Sequence, residues 1–117
     1  MAWPKPVLAI GIKVAPGISH EEIPADCEVE FISVNGECRE AVIWMGALKS
    51  HAEVRATVLP GGQSLIKGQV EPVGCAAISE YLYEPDRAVI RAHLVEQIAT
   101  EIGARKLDPE VAYLTAD

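Results

Sequence analysis

Cationic side chains are scarce in this 117-residue chain, where Lys and Arg number 10 against 17 Asp and Glu, a formal charge of −7. The deficit is even: residues 1–60 carry 5 − 8 = −3 and residues 61–117 carry 5 − 9 = −4. So acidic a surface excludes tight, non-specific nucleic-acid binding by the whole molecule and disfavours anionic membranes; no DNA partner is expected. Long apolar runs are missing as well. The longest stretch free of charge, Ala56–Ile66, is about half of the roughly 20 residues that a membrane-crossing helix requires. Near the start, Val7–Ile12 is apolar, but Pro4 and Pro6 precede it, Lys13 interrupts it and no small-residue cleavage site follows, so it reads as a strand and not as a secretory signal. Cysteine is sparse and odd in number: Cys27, Cys38 and Cys75 have no framework spacing and read as reduced thiols at a cytoplasmic address. Aromatics make up only 5%. What is present in quantity is apolar bulk, 50% of the chain, with 23% charged, which suits one packed domain.

Hydrophobic patterning supplies the elements. Val7–Val14 reads as a first strand, stopped by Ala15-Pro16-Gly17. Ser19-His20-Glu21-Glu22 reads as a capped turn before Pro24. Cys27–Val34 and Glu37–Trp44 are strand-like runs on either side of Asn35-Gly36, the pair favoured in a two-residue hairpin loop. That loop predicts Phe31 opposite Glu40 and Val29 opposite Val42, with Val29, Phe31, Val42 and Trp44 on one face and Ile32, Val34, Ala41 and Ile43 on the other. Glu53–Leu59 alternates, Pro60-Gly61-Gly62 ends it, and Gln63–Lys67 could return beside it; Gln69–Ala77 reads as a connection. From Pro85 to Ile102 the period changes. Ile90, Leu94, Ile98 and Ile102 form one apolar stripe, which predicts one long amphipathic helix with Pro85 first, Asp86 at its positive end and Gly103 just past its end. Val111–Thr115 closes as a strand. The fold class is α+β: a largely antiparallel sheet with an Asn-Gly hairpin and one long helix near the C-terminus packed on one face.

Chemistry-bearing patterns are few. Gly61-Gly62 sits between two strand-like runs and reads as a hairpin turn, not as a phosphate or cofactor loop. His20, His51 and His93 have no paired spacing with one another or with the cysteines, so no metal site is expected. The acidic residues Glu21, Glu22, Asp26, Glu28 and Glu30 lack calcium-loop spacing and read as a solvated edge. Tyr81, Tyr83 and Tyr113, with Arg87, Arg91, Arg105 and Lys106, have the composition of a single-strand RNA platform, in which bases stack on rings and cations hold phosphates. The alternative is that Tyr81 or Tyr83 packs its ring on the core with its hydroxyl bonded.

Tyr81–Ala92 (YLYEPDRAVIRA), followed by Gly103-Ala104-Arg105 and Leu107–Asp117 (LDPEVAYLTAD), resembles the THUMP-like domain that follows the catalytic domain in a family of bacterial class I S-adenosylmethionine-dependent methyltransferases. Lys13–Ile18 (KVAPGI), Phe31–Gly36 (FISVNG), Glu40–Gly46 (EAVIWMG) and Arg55–Gly62 (RATVLPGG) extend the likeness over about Lys13–Asp117. The methyltransferase fold and its cofactor motif are missing, and that family's chains tend to run on past the position of Asp117. The resemblance therefore implies that residues 1–117 are a single accessory domain of a longer methyltransferase. It would have no catalytic, cofactor-binding or metal-binding residues of its own, with S-adenosylmethionine belonging to the parent enzyme. An adjoining methyltransferase domain is the implied partner and RNA the implied substrate, met by Tyr83, Glu84, Asp86, Arg91, Tyr113 and Thr115. Two other classes stand beside this reading: an interaction module without substrate contact, suggested by apolar residues on both hairpin faces, and a small enzyme using Cys or His.

Overall fold

The computed structural model describes residues 9–117, and Val7 and Leu8 of the first expected strand lie outside them. Strands β1 (Ala9–Val14), β2 (Glu28–Val34), β3 (Glu37–Gly46), β4 (Val54–Leu59) and β5 (Gln63–Ile66) form a five-stranded sheet in the order β1-β3-β2-β4-β5. After it come β6 (Tyr81–Tyr83), helices α1 (Arg87–Arg91) and α2 (Val95–Ile102), β7 (Arg105–Lys106) and β8 (Leu114–Ala116). Strands β6, β8 and β7 pair in that order as a second, antiparallel sheet. The architecture is α+β with mostly antiparallel pairing, the exception being β2 beside β4, which run parallel. Among the described residues no helix is long and apolar enough to cross a membrane.

Strands β2 and β3 pair antiparallel, with Asn35 and Gly36 between Val34 and Glu37 at φ 52° and 85°. The pairing starts with Val34 opposite Glu37 and Ser33 opposite Cys38 and then slips, so that Ile32 faces Glu40, Phe31 faces Ala41 and Val29 faces Ile43. Arg39 is the extra residue of a β-bulge. Because side chains alternate with a period of two, that one residue exchanges the faces of β3. Ala41 and Ile43 join Val29 and Phe31 in the core, while Val42 and Trp44 go to the opposite side. The expected register, with Phe31 on Glu40 and Val29 on Val42, is corrected accordingly.

The expected single helix is two helices. Ala92 ends α1, His93 takes a left-handed φ of 60°, and the Leu94 N–H bonds the Val89 carbonyl at 3.0 Å while the His93 N–H bonds that of Ile90 at 3.1 Å. This is a Schellman stop with histidine in the place glycine usually takes. Histidine tolerates that conformation better than most residues. Pro85 precedes the helix, and Asp86 is its N-cap, accepting the Ala88 N–H at 2.8 Å. The apolar stripe continues across the break because each piece buries its own face. Ala88, Val89, Ala92 and Leu94 pack on Val29, Phe31, Ala41, Val54 and Ala56 of the large sheet. Ala99 of α2 packs with Ala104 and Leu114 of the small one, and Ile98 touches both cores. Ile102, expected in the stripe, is exposed. Gly103 stops α2 at φ 69°.

The second face of the large sheet is polar. Glu28, expected at a solvated edge, has a side chain only 3% exposed. Its carboxylate accepts the Ser50 N–H at 2.8 Å, the Ser50 hydroxyl at 3.0 Å and Arg55 Nε at 3.0 Å, so it anchors the connection that carries the chain past β2 into β4. Burial alone raises its pKa, but the Ser50 N–H, then the Arg55 and Ser50 side-chain bonds and the Arg55 charge together hold it below the usual carboxylate value. Glu30 beside it accepts Trp44 Nε1 at 3.0 Å and the Thr57 hydroxyl at 2.5 Å. The Trp44 ring lies over Gly11, where a Cβ would come within 2.6 Å of it.

Candidate functional site

Helix α1 presents its outer side between two hollows. One, of about 660 Å³, is lined by Pro16, the Asn35-Gly36 turn, Glu37, Cys38, Arg87, Ile90 and Arg91. A smaller one, of about 180 Å³, is lined by Glu84, Arg87, Ile90, Ala112 and Tyr113. Arg87 and Ile90 form the shared wall. The expected site residues therefore separate into two groups. Glu84, Arg91 and Tyr113 come together around Arg87, with the Tyr113 ring exposed. Asp86 is occupied as the cap of α1. Tyr83 stands exposed on β6 beside Tyr81, their rings 6.4 Å apart. Thr115 is buried; its hydroxyl donates to the Tyr81 carbonyl at 2.8 Å and accepts the Ser79 N–H at 2.7 Å, tying β6 to β8.

The charges of the larger hollow are uneven. Among the described residues Lys13, Arg39, Arg55, Lys67 and Lys106 each have a carboxylate within 4.0 Å, while Lys49, Arg87, Arg91 and Arg105 have none, and of these four Arg87 and Arg91 line the hollow. Glu37, the one acid in this hollow's lining, is held by Arg39 at 3.0 Å. Two guanidinium groups four residues apart on one helix thus face solvent without an acidic partner, in a chain whose net charge is −7. Arg87 belongs to the aromatic-and-cation set read from the sequence, though not to the six residues that the family resemblance implies. The signal for it is its helical spacing from Arg91, which puts both on one side.

Two histidines that the sequence holds far apart meet at the C-terminal end of this helix. His20 and His93 stack face to face with centroids 3.7 Å apart and planes 5° off parallel, and His20 stacks in turn on Phe31 at 5.4 Å. The His20 Nε2–H donates to the Arg91 carbonyl at 2.7 Å. The stack supports His93 in its left-handed conformation, which costs roughly 1–2 kcal/mol in a non-glycine residue. Burial, and then the neighbouring His20, lower the His93 pKa. Parallel imidazoles aim their lone pairs in parallel planes, so this pair does not converge on one ion; among the described residues no metal-ligating group of three or more converges. Cys38 lines the larger of these two hollows; burial pushes its thiol up, against the lowering by Arg91 and with a smaller push from Asp86, which disfavours a thiolate nucleophile.

Over 110 residues, 91% of its length, this chain is 36% identical to uncharacterised S-adenosylmethionine-dependent methyltransferases from two strains of Mycobacterium tuberculosis, CDC 1551 and H37Rv. The chain corresponds to 31% of each. The likeness is to a third of a methyltransferase. A crystal structure of a putative methyltransferase from Porphyromonas gingivalis W83 shares the fold, with a TM-score of 0.69 at 20% identity, over 92% of this chain and 31% of that one. No protein-family model matches.

Proposed function

We propose that this chain is a THUMP-like accessory domain that presents substrate, RNA, to an adjoining S-adenosylmethionine-dependent methyl-transfer domain and does not itself carry the transfer chemistry. The likeness to one third of such methyltransferases supports the accessory role. So does the topology: a methyl-transfer domain of the Rossmann-like class needs parallel strands joined by crossover helices, whereas the described strands pair mostly antiparallel. The observation that carries the substrate class is the Arg87–Arg91 pair, two cations without acidic partners beside the exposed Tyr113 ring. Arg87 and Arg91 hold phosphate oxygens, Tyr113 and Tyr83 offer stacking faces, and Glu84 accepts from a base edge. Asp86 and Thr115 act one step back, fixing the start of α1 and the seam between β6 and β8.

The test is fluorescence anisotropy with a single-stranded RNA of about 12 nucleotides, within the span of one such module. Saturable binding is expected at low salt, weakened about tenfold or more by Arg87→Glu with Arg91→Glu, with the thermal midpoint unchanged. Equal binding by wild type and variant, or none by either, overturns the RNA assignment. Calorimetric titration with S-adenosylmethionine separately tests the non-catalytic part, which tight binding by this chain would sink.

A further inference from the structure

Strand β6 is the outer strand of the small sheet, with β8 on one side and, among the described residues, no strand on the other. Its side chains are all exposed, at 54%, 53% and 40% for Tyr81, Leu82 and Tyr83, and Ile78 just before it is 63% exposed. Free backbone donors and acceptors on an apolar edge template a further strand, and soluble proteins guard such edges with charge, proline or a covering loop. Here the only charges stand at the two ends. Glu80 and Glu84 flank the apolar triplet, and neither has a cation within 4.0 Å among the described residues.

Those two carboxylates select the occupant. If a second copy added its β6 antiparallel about Leu82, each Glu80 would face a Glu84, giving two like-charged cross-strand pairs that destabilise the pairing. A phosphate backbone laid along the strand meets the same repulsion at both ends, unlike a single base that reaches Tyr83 and Glu84 from the Arg87–Arg91 hollow. An extended polypeptide with an apolar centre and a Lys or Arg at each flank is attracted at both ends. We propose that the open edge of β6 captures such a segment of a partner polypeptide as a fourth strand, seating its alternate side chains against the Tyr81–Tyr83 pair on one face and Leu82 on the other. This surface shares Tyr83 and Glu84 with the RNA reading, but it rests on the open edge and on Glu80, which that reading does not use.

The probe is a blocked heptapeptide, Lys-Thr-Val-Ile-Val-Thr-Lys, titrated into the 117-residue chain and followed by the amide resonances of Leu82 and Tyr83. Saturable shifts are expected, with the Glu-flanked counterpart about tenfold weaker, the equivalent of two cross-strand charge pairs. The preference should fade at high salt and invert in the Glu80→Lys, Glu84→Lys variant. Glu80→Lys alone turns both self-facing pairs into opposite charges, so sedimentation should show its self-association about tenfold stronger than that of a monomeric wild type. Equal binding of the two peptides, or binding of neither, overturns the proposal, the glutamates then being guards of the edge alone. A wild-type dimer through β6 overturns it in favour of a second copy.

Discussion

The two sheets of this molecule are built from the same kinds of residue and stabilised very differently. The large sheet closes on Val29, Phe31, Ala41, Val54 and Ala56 beneath α1, with Phe31 and Val29 fully buried. The small sheet closes on Leu114 between alanines, Ala99 and Ala104, and leaves Tyr81, Leu82, Tyr83 and Tyr113 in solvent. The difference teaches where each kind of work is done. Aromatic and branched residues inside the large half supply the folding free energy, and the small half spends its large side chains on its surface. Phe31→Ala is accordingly expected to cost the most, about 3–5 kcal/mol in a denaturant titration. Leu114→Ala should cost less, about 2–3 kcal/mol, because its buried neighbours are alanines, the larger Val73, Val95 and Ile98 around them are only partly buried, and the thin sheet can close on the gap. Equal costs would break the comparison.

The two faces of the large sheet sharpen it. Helix α1 covers an apolar face, while the opposite one is held by Glu28, Arg55 and Ser50. Arg55→Met leaves the buried Glu28 carboxylate without its cation. The expected cost is about 2 kcal/mol, below the 3–5 of a fully enclosed pair because the Arg55 side chain is 24% exposed. Adding Glu28→Gln should recover part of it; if the double variant is no better than the single one, the pair is not coupled as the geometry indicates.

Acid separates the faces in another way. The His93 pKa in the folded protein lies below its ordinary value of 6.5, so below that pH the unfolded chain binds more protons than the native one. Stability from this group is complete above 6.5 and is lost as pH falls through the folded value. Glu28, held below 4.5, adds a second loss that begins only beneath that pH. Denaturation midpoints should thus be flat above pH 7 and decline in two stages. His93→Asn, which keeps a residue tolerant of left-handed φ, should remove the first stage and leave the second.

Much of the large sheet is legible in the sequence, since alternation and turn residues are local signals: Val54 and Ala56 are buried where the pattern puts them, and Gln63–Ile66 returns beside β4. Long-range pairing is what escapes. The partner of Glu28 is Arg55, 27 residues away, and nothing local distinguishes Glu28 from the solvated acids near it. His20 and His93 meet across the fold, and it is their stack that supports a helix break at a residue without the usual glycine or proline signal. Strands β6 and β7, of 3 and 2 residues, are too short to show a period. In the candidate site, Glu84 and Tyr113 line one hollow and Arg91 the other; that Arg87, one of the cations singled out in the sequence, is the wall between them follows only from the orientation of α1.

The smallest effect expected has the opposite sign. Ser33 is fully enclosed beside the bulge, and its hydroxyl has no hydrogen-bond partner in the structure. A buried hydroxyl without a partner has lost its hydration and gained nothing in return, at a cost of about 1–3 kcal/mol. Alanine at this position removes the polar atom and leaves a gap smaller than a methylene, so Ser33→Ala should stabilise by about 1 kcal/mol. Because Ser33 lies on the core face with Val29 and Phe31, the gain would show that even the well-packed half carries one group that works against it. A loss of similar size would instead reveal that the hydroxyl holds the bulge, and with it the register that turns Ala41 and Ile43 inward.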